Sequence, residues 1–481
     1  MILKRFYDDK LAQASYLVGC AATGESLVVD PNRDVQQYIE AAAQEGLRLT
    51  HVTETHIHAD FVSGLRELAT PTGAKAYVSG EGGADWRYTF AKALGADELK
   101  DGDEFRVGNV RVQAVHTPGH TPEHMSFIIT DTAGADQPMG VFTGDFVFVG
   151  DVGRPDLLEK AAGEAGTMEA GARQLYQSLK RFQSLPDWLQ LWPGHGAGSA
   201  CGKSLGAVPS TTLGYEKLFN WGFSHDSEDA FVEAVLAGQP EPPKYFAEMK
   251  RINREGPRVL DGFERPPQLE ASKLASLADG DAMVVDTRRW ADYRAGFVPG
   301  TINIPLNRSF TTWAGWLIPY DREFHLIVSR GAESGIDEAV RDLAMIGLDR
   351  VAGYFTSDAV EAWAASGREL ATLDEMTTDE MRRAYDAGDV AILDVRGRGE
   401  WEAGHIPDVP NIPLGYLTDR LDEVPDGRPV LVHCQSGSRS AIATSLLAAK
   451  GIEAINLKDG FSGWAADGNP VEREAEPVQA S

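Results

Sequence analysis

Cysteine is scarce in this chain. Cys20, Cys201 and Cys434 are the only three in 481 residues, and their wide spacing excludes a disulfide framework and points to reduced thiols in a reducing compartment. Positive charge is also short, with 45 Lys+Arg against 72 Asp+Glu and a net charge of −27, so no nucleic acid and no anionic membrane surface is expected as a partner. No apolar run approaches the roughly 18 residues of a membrane-spanning helix, and the opening MILKRFYDDKLAQASYLVG has neither an apolar h-region nor a small-residue cleavage site. The expectation is a soluble, cytoplasmic protein. At about 150 residues per domain, the length implies about three domains.

What is present is a set of histidines and carboxylates at strand ends. Residues 55–64 read THIHADFVSG and follow an alternating stretch, 47–53, that predicts a half-buried strand. His56 and His58 lie two apart and turn their imidazoles the same way from extended backbone, and Asp60 adds a carboxylate. Such a mixture suits Zn or Fe. His120 in HTPGHTPEH follows the strand-like VRVQAV, Asp145 in VFTGDF follows an apolar run, and His195 in LWPGHGAGS follows another. Each stands where a strand gives way to a glycine-containing loop. Further strands are expected at 14–19, 26–31, 102–115 as a pair, 125–130 and 140–143, with helices at 35–45 and 169–183.

This set resembles the metallo-β-lactamase fold superfamily, which implies an αββα sandwich over roughly the first half of the chain. Dinuclear hydrolases of that superfamily, glyoxalase II among them, carry HxHxDH, whose last histidine holds a second metal. Here that position is Phe61. The resemblance to the persulfide dioxygenase branch then implies one Fe(II) per chain, held by His56, His120 and Asp145. It places His58, Asp60 and His195 around that set or on the substrate side. Arg154 and Asp156, in GDVGRPD, are expected to brace the Asp145 loop, with Arg154 also able to hold an anionic substrate. Cys201, six residues after His195, reads either as a small buried side chain or as a thiol that relays or senses sulfur near the iron; Cys20 reads as core. His116 and His124 are expected to be structural. Lys203, Tyr215, Lys217, Lys250 and Arg251 are expected at the surface, with anion holding as their other reading.

The second half contains a repeat. Residues 284–306, VVDTRRWADYRAGFVPGTINIPL, match 392–414, ILDVRGRGEWEAGHIPDVPNIPL, at a constant offset of 108. Each copy alternates strand and helix as a small parallel sheet requires, and each resembles the rhodanese domain. In the second copy PVLVHC ends at Cys434 and CQSGSRS opens a helix. Gln435, Ser436, Gly437, Ser438 and Ser440 form an anion cradle there, and Arg439 sets a guanidinium beside a nucleophilic sulfur. The Cys-x4-Arg spacing resembles that of sulfurtransferases. In the first copy VSRGAESG puts Ser329 or Arg330 at the place of Cys434, so this copy is expected to be inactive and to position its partners.

The expected organisation is a metallo-β-lactamase-fold domain at 1–240, a Pro-rich linker at 241–268, an inactive rhodanese-like domain at 269–372, an active rhodanese domain at 373–470 and a disordered tail at 471–481. Together the resemblances imply oxidation of a low-molecular-weight thiol persulfide with O2 to sulfite. A persulfide on Cys434 would then be attacked by sulfite to give thiosulfate. A glyoxalase II-like thioester hydrolase with a rhodanese sulfur-carrier module is the alternative, and a non-enzymatic sulfur-carrier scaffold is the third reading. A homo-oligomer, dimer or tetramer, is the expected assembly.

Overall fold

The computed structural model describes residues 1–157, 159, 166–239, 241–331 and 333–474, so the tail expected at 475–481 lies outside them. The chain divides into two compact units, Met1–Phe263 with Ala344–Gly347, and Glu264–Leu343 with Leu348 onward.

Unit 1 is built on two six-stranded mixed sheets. The first is ordered β1 (Ile2–Asp8), β2 (Gln13–Cys20), β3 (Glu25–Val29), β4 (Arg48–Thr53), β5 (Lys75–Ser79) and β6 (Asp97–Leu99), with helix α1 (Gln36–Gln44) between β3 and β4 and α2 (Leu65–Thr72) between β4 and β5. The second runs β7 (Glu104–Val107), β8 (Val110–His116), β9 (Met125–Asp131), β10 (Gly140–Gly144), β11 (Gln190–Pro193) and β12 (Thr211–Thr212), with α3 (Thr167–Phe182) between β10 and β11.

Alternation along the strands explains the layering, because successive side chains leave a strand on opposite faces. On β2, Tyr16 and Val18 join Phe105, Val112, Phe127 and Phe142 in a core between the sheets, whereas Leu17 turns to Tyr38, Leu65 and Leu68 on the helical side. On the second sheet, Phe127 and Ile129 point inward, while Ile128 and Val141 meet Leu175, Leu179 and Phe182 of α3. Three cores therefore separate four layers, helix, sheet, sheet, helix, as the resemblance implied.

The Pro-rich stretch expected as a linker at 241–268 is instead largely part of unit 1, which extends to Phe263. Its helix α4 (Phe246–Glu255) buries Phe246, Met249 and Asn253. The Asn253 amide donates to the carbonyls of His58 and Phe61, both at 2.7 Å, and its oxygen accepts from Ser63 N–H at 2.9 Å. A segment that reads as a spacer from its prolines is thus a clamp on the His56 loop.

Unit 2 holds two four-stranded parallel sheets. The first comprises β13 (Met283–Asp286), β14 (Ile302–Asn303), β15 (Phe324–Val328) and β16 (Val351–Thr356), in the order β14-β13-β15-β16. The second comprises β17 (Glu375–Met376), β18 (Ala391–Asp394), β19 (Val430–His433) and β20 (Ala454–Leu457), in the order β17-β20-β19-β18. The second also carries α5 (Arg398–Ala403) and α6 (Ser438–Ala449). Of the residues expected as tail, Glu472 pairs with His405 through two backbone hydrogen bonds of 2.8 and 2.9 Å. Among the described residues, no helix is long and apolar enough to cross a membrane.

Candidate metal centre and thiol loop

The histidines and carboxylates of unit 1 converge where strands end. His56, His58 and Asp60 lie in the loop after β4, His120 in the loop after β8, Asp145 directly after β10 and His195 after β11. All six are buried. The metal-binding atoms of His56, His120 and Asp145 lie within 4.8 Å of one another, with His120 Nε2 at 3.5 Å and His56 Nε2 at 3.9 Å from Asp145 Oδ2. Asp60, His195 and Cys201 form a second such group, in which His195 Nε2 is 3.2 Å from Asp60 Oδ2 and 3.4 Å from Asp145 Oδ1.

The tautomers are set by what the other ring nitrogen touches. A carbonyl only accepts, so His120 Nδ1–H donates to Arg154 O and His195 Nδ1–H donates to Ala12 O, each at 3.0 Å. Thr55 Oγ donates to Asp30 at 3.1 Å and so accepts from His56 Nδ1–H at 3.0 Å. Each Nε2 is left with its lone pair facing the centre, as metal ligation requires. Burial, reinforced by the neighbouring histidines, holds His56 well below its ordinary pKa, and burial outweighs Asp145 to lower that of His120.

His58 behaves differently. Burial would lower its pKa, but the hydrogen bond to Asp30 at 3.2 Å, with the charges of Asp30, Glu54 and Asp60, outweighs this and raises it to about 9. Its Nε2 therefore donates to Asp30. For Cys201, burial and then the Asp60 and Asp145 carboxylates push the thiol well up.

The donor set fits a cation. His56 Nε2 and both Asp145 carboxylate oxygens are buried without a hydrogen-bond partner, as is Asp60 Oδ1. Unmatched buried carboxylate oxygens cost several kcal/mol unless a positive charge faces them. Phe61 is fully buried and packs on the His58 ring at 4.3 Å between centroids.

Surrounding groups hold this arrangement rigid. Arg154 and Asp156 are both buried and form a two-pronged pair at 2.8 and 2.8 Å, and Arg154 Nη1 reaches Ala200 O at 3.0 Å. His124 Nε2 accepts from Asp145 N–H at 3.1 Å, and His116 bonds Pro122 O at 2.8 Å. Gly153 lies so close that a Cβ there would stand 1.8 Å from the Asp145 carbonyl oxygen. Asp151 accepts from Lys203 N–H and Ser204 N–H at 2.8 and 2.7 Å, fixing the segment after Cys201. The remaining surface groups have local partners: Lys203 and Lys250 stack on Trp221 and Trp86, Lys217 pairs with Asp187, Arg251 with Glu248 and Glu255, and Tyr215 is exposed against Phe219. Cys20 is buried in the core between the sheets.

In unit 2, Cys434 follows β19 directly and is 1% exposed. Ser440 Oγ donates to Cys434 Sγ at 3.5 Å. Gly437 takes a left-handed φ of 88°, which lets the loop turn into α6, while Ser436 and Ser438 are exposed. Gln435 bridges Ser462 at 2.9 Å and Arg396 at 3.3 Å. Arg439 makes a two-pronged pair with Glu400 at 2.5 and 2.7 Å. Glu400, like Asp30 and the Ala12 carbonyl, is a partner that sequence reasoning missed. Its only sequence signal was a place inside the repeat.

The first repeat differs from expectation in one position. Asp286 pairs with Ile327 as Asp394 pairs with His433, so Val328, not Ser329 or Arg330, holds the place of Cys434. Gly331, with φ 71°, falls opposite Gly437 in the same register. The first copy has two more residues than the second between its NIPL segment and this position, so the offset of 108 drops to 106.

Sequence models of two families match the chain: the metallo-beta-lactamase superfamily over residues 8–195 and the rhodanese-like domain over 377–467. A solved metallo-beta-lactamase from Staphylococcus aureus subsp. aureus COL is 44% identical, covers 74% of this chain and 98% of its own, and superposes with a TM-score of 0.66. A mitochondrial persulfide dioxygenase of Bos taurus is 28% identical over 202 residues, 40% of this chain and 68% of its own. A hydroxyacylglutathione hydrolase of Methylococcus capsulatus is 33% identical over 181 residues, 37% of this chain and 60% of its own.

Proposed function

We propose, from the premise that this chain belongs to the metallo-beta-lactamase superfamily and carries a C-terminal rhodanese-like domain, that it is a persulfide dioxygenase joined to a thiosulfate-forming sulfurtransferase. The observation that carries this reading is Phe61, a buried, non-ligating ring packed on His58 where dinuclear hydrolases have a metal-binding histidine. One metal per chain, held by His56, His120 and Asp145, follows. Two imidazoles and one carboxylate leave open positions, and a ferrous ion bound there would supply the redox chemistry that brings O2 and a persulfide sulfur together.

The chain's own residues then have defined tasks. Arg154 and Asp156 neutralise each other and fix the carbonyl that orients His120. His58 is held to Asp30 through Nε2. Overall, RSSH with O2 and H2O gives RSH and sulfurous acid, which ionises to sulfite. In unit 2, the Cys434 thiol takes the sulfane sulfur of a second RSSH, releasing RSH. Sulfite attacks the outer sulfur of that Cys434 persulfide and leaves as thiosulfate, returning the thiol. A low-molecular-weight thiol persulfide, O2 and sulfite are thus the small-molecule partners, in a cytoplasmic homo-oligomer.

The test is metal analysis with oxygen uptake on glutathione and coenzyme A persulfides. One iron per chain is expected, with oxygen consumed, and Asp145→Ala is expected to lose both, since two imidazoles alone hold Fe(II) weakly. Two tightly bound zinc ions, with thioester hydrolysis and no oxygen uptake, would instead establish the hydrolase and would place the second ion at Asp60, His195 and Cys201.

A further inference from the structure

The guanidinium that the thiol loop needs for an anion is already occupied. Arg439, at the second position of α6, gives both terminal nitrogens to Glu400 on α5, at 2.5 and 2.7 Å. The pair is partly exposed, at 25% and 38% of the two side chains, so solvent and small solutes reach it. Glu400 is anchored on its own side, where Oε2 accepts from Gly397 N–H at 3.1 Å. A carboxylate fixed on one helix therefore holds the cation that flanks Cys434 on another.

The first repeat is an internal control. There Val328 replaces the thiol, and the same register puts Glu333 at the place of Arg439. Asp292 stands where Glu400 does, and it pairs with Arg289 on its own helix at 3.1 Å. Among the described residues, the cross-helix grip is found in the copy that has the sulfur. The aspartate–arginine pairs that hold each fold together are kept in both, at 2.6 and 2.7 Å. Glu400 with Arg439 thus varies with the chemistry and not with the frame.

We propose that Glu400 is an internal competitor of the oxyanion, a specificity-determining and positioning residue that holds Arg439 until sulfite displaces it. This deepens the sulfurtransferase reading of Cys434 and rests on it. A dianion that engages both guanidinium nitrogens can exchange for the carboxylate, whereas a neutral or singly charged, bulky solute gains too little to do so.

The full chain is tested by alkylating Cys434 with anionic iodoacetate and neutral iodoacetamide, the modified peptide being identified by mass. Glu400→Gln keeps an acceptor for Gly397 N–H and removes the competing charge. It is expected to raise the iodoacetate-to-iodoacetamide rate ratio about fivefold and to lower the KM for sulfite by a similar factor, with kcat changing less. Glu400→Asp, one methylene too short for the two-pronged grip, is expected to move both quantities the same way by less. Arg439→Gln added to Glu400→Gln is expected to abolish the gain. An unchanged or lowered ratio together with an unchanged or raised KM would overturn the proposal and leave Glu400 as a support for Arg439. A raised ratio in a chain that makes no thiosulfate would overturn the sulfurtransferase reading alone.

Discussion

In both repeats of unit 2 an aspartate closing a central strand grips the arginine two residues on, Asp286 with Arg288 and Asp394 with Arg396, and all four are buried. Each arginine also reaches a glycine carbonyl at the end of the next helix, Gly296 at 3.1 Å and Gly404 at 2.8 Å. The asparagines of the two NIPL segments, Asn303 and Asn411, each donate to the carbonyls of both pair members. Against this shared frame the thiol loops diverge in sequence. A buried ion pair with every hydrogen bond satisfied resists change because removing one partner strands a charge, whereas a loop thiol can be replaced by an apolar side chain without stranding one. Chemistry is therefore lost from a copy far more easily than architecture.

The comparison breaks most severely at Cys434. Cys434→Ser is expected to cut the initial rate of thiosulfate formation by more than about 100-fold while oxygen uptake continues and sulfite accumulates, since no other residue of the loop carries sulfur. Spontaneous reaction of sulfite with free persulfide sets the floor. Wild-type thiosulfate rates in this variant would mean that the loop is not the carrier.

A smaller effect sharpens the shared frame. Asp286→Asn and Asp394→Asn each strand a buried guanidinium and are each expected to cost about 3–5 kcal/mol in denaturant unfolding. Similar losses in the two variants would show that both pairs serve the fold equally. A loss confined to one would break the equivalence. The smallest expected effect is that of Val328→Cys in the Cys434→Ser background, in which thiosulfate formation stays at the floor. A thiol restored without an arginine in register lacks the charge that holds an oxyanion, and recovery of a substantial rate would show that the sulfur alone suffices.

Much of this was legible in the residues. Strand-end histidines, the repeat and the Cys-x4-Arg loop are local patterns, and local patterns survive without coordinates. What escaped was set by distant pairing. Asp30 meets His58 across 28 positions, Ala12 O meets His195 across 183, and Glu400 meets Arg439 across 39. No periodicity signals such contacts. The linker reading of 241–268 failed because five prolines outweighed one short amphipathic helix whose Asn253 has its partners some 190 residues earlier. The thiol position of the first repeat is not legible from the offset, which is constant only as far as the NIPL segments, after which the first copy carries two extra residues and strand register is needed to go further.

The orientation of His120 and His195 by main-chain carbonyls has a consequence for how the centre can vary. A carbonyl oxygen is supplied by every amino acid, so the acceptor that turns each imidazole depends on the chain path at positions 12 and 154, which the buried Arg154–Asp156 pair holds for His120, and not on a side-chain oxygen. His56 has no such insulation, because its orientation depends on the Thr55 hydroxyl and, behind that, on Asp30. Natural or laboratory drift in this site is therefore expected to spare the first two rings and to register first at the third.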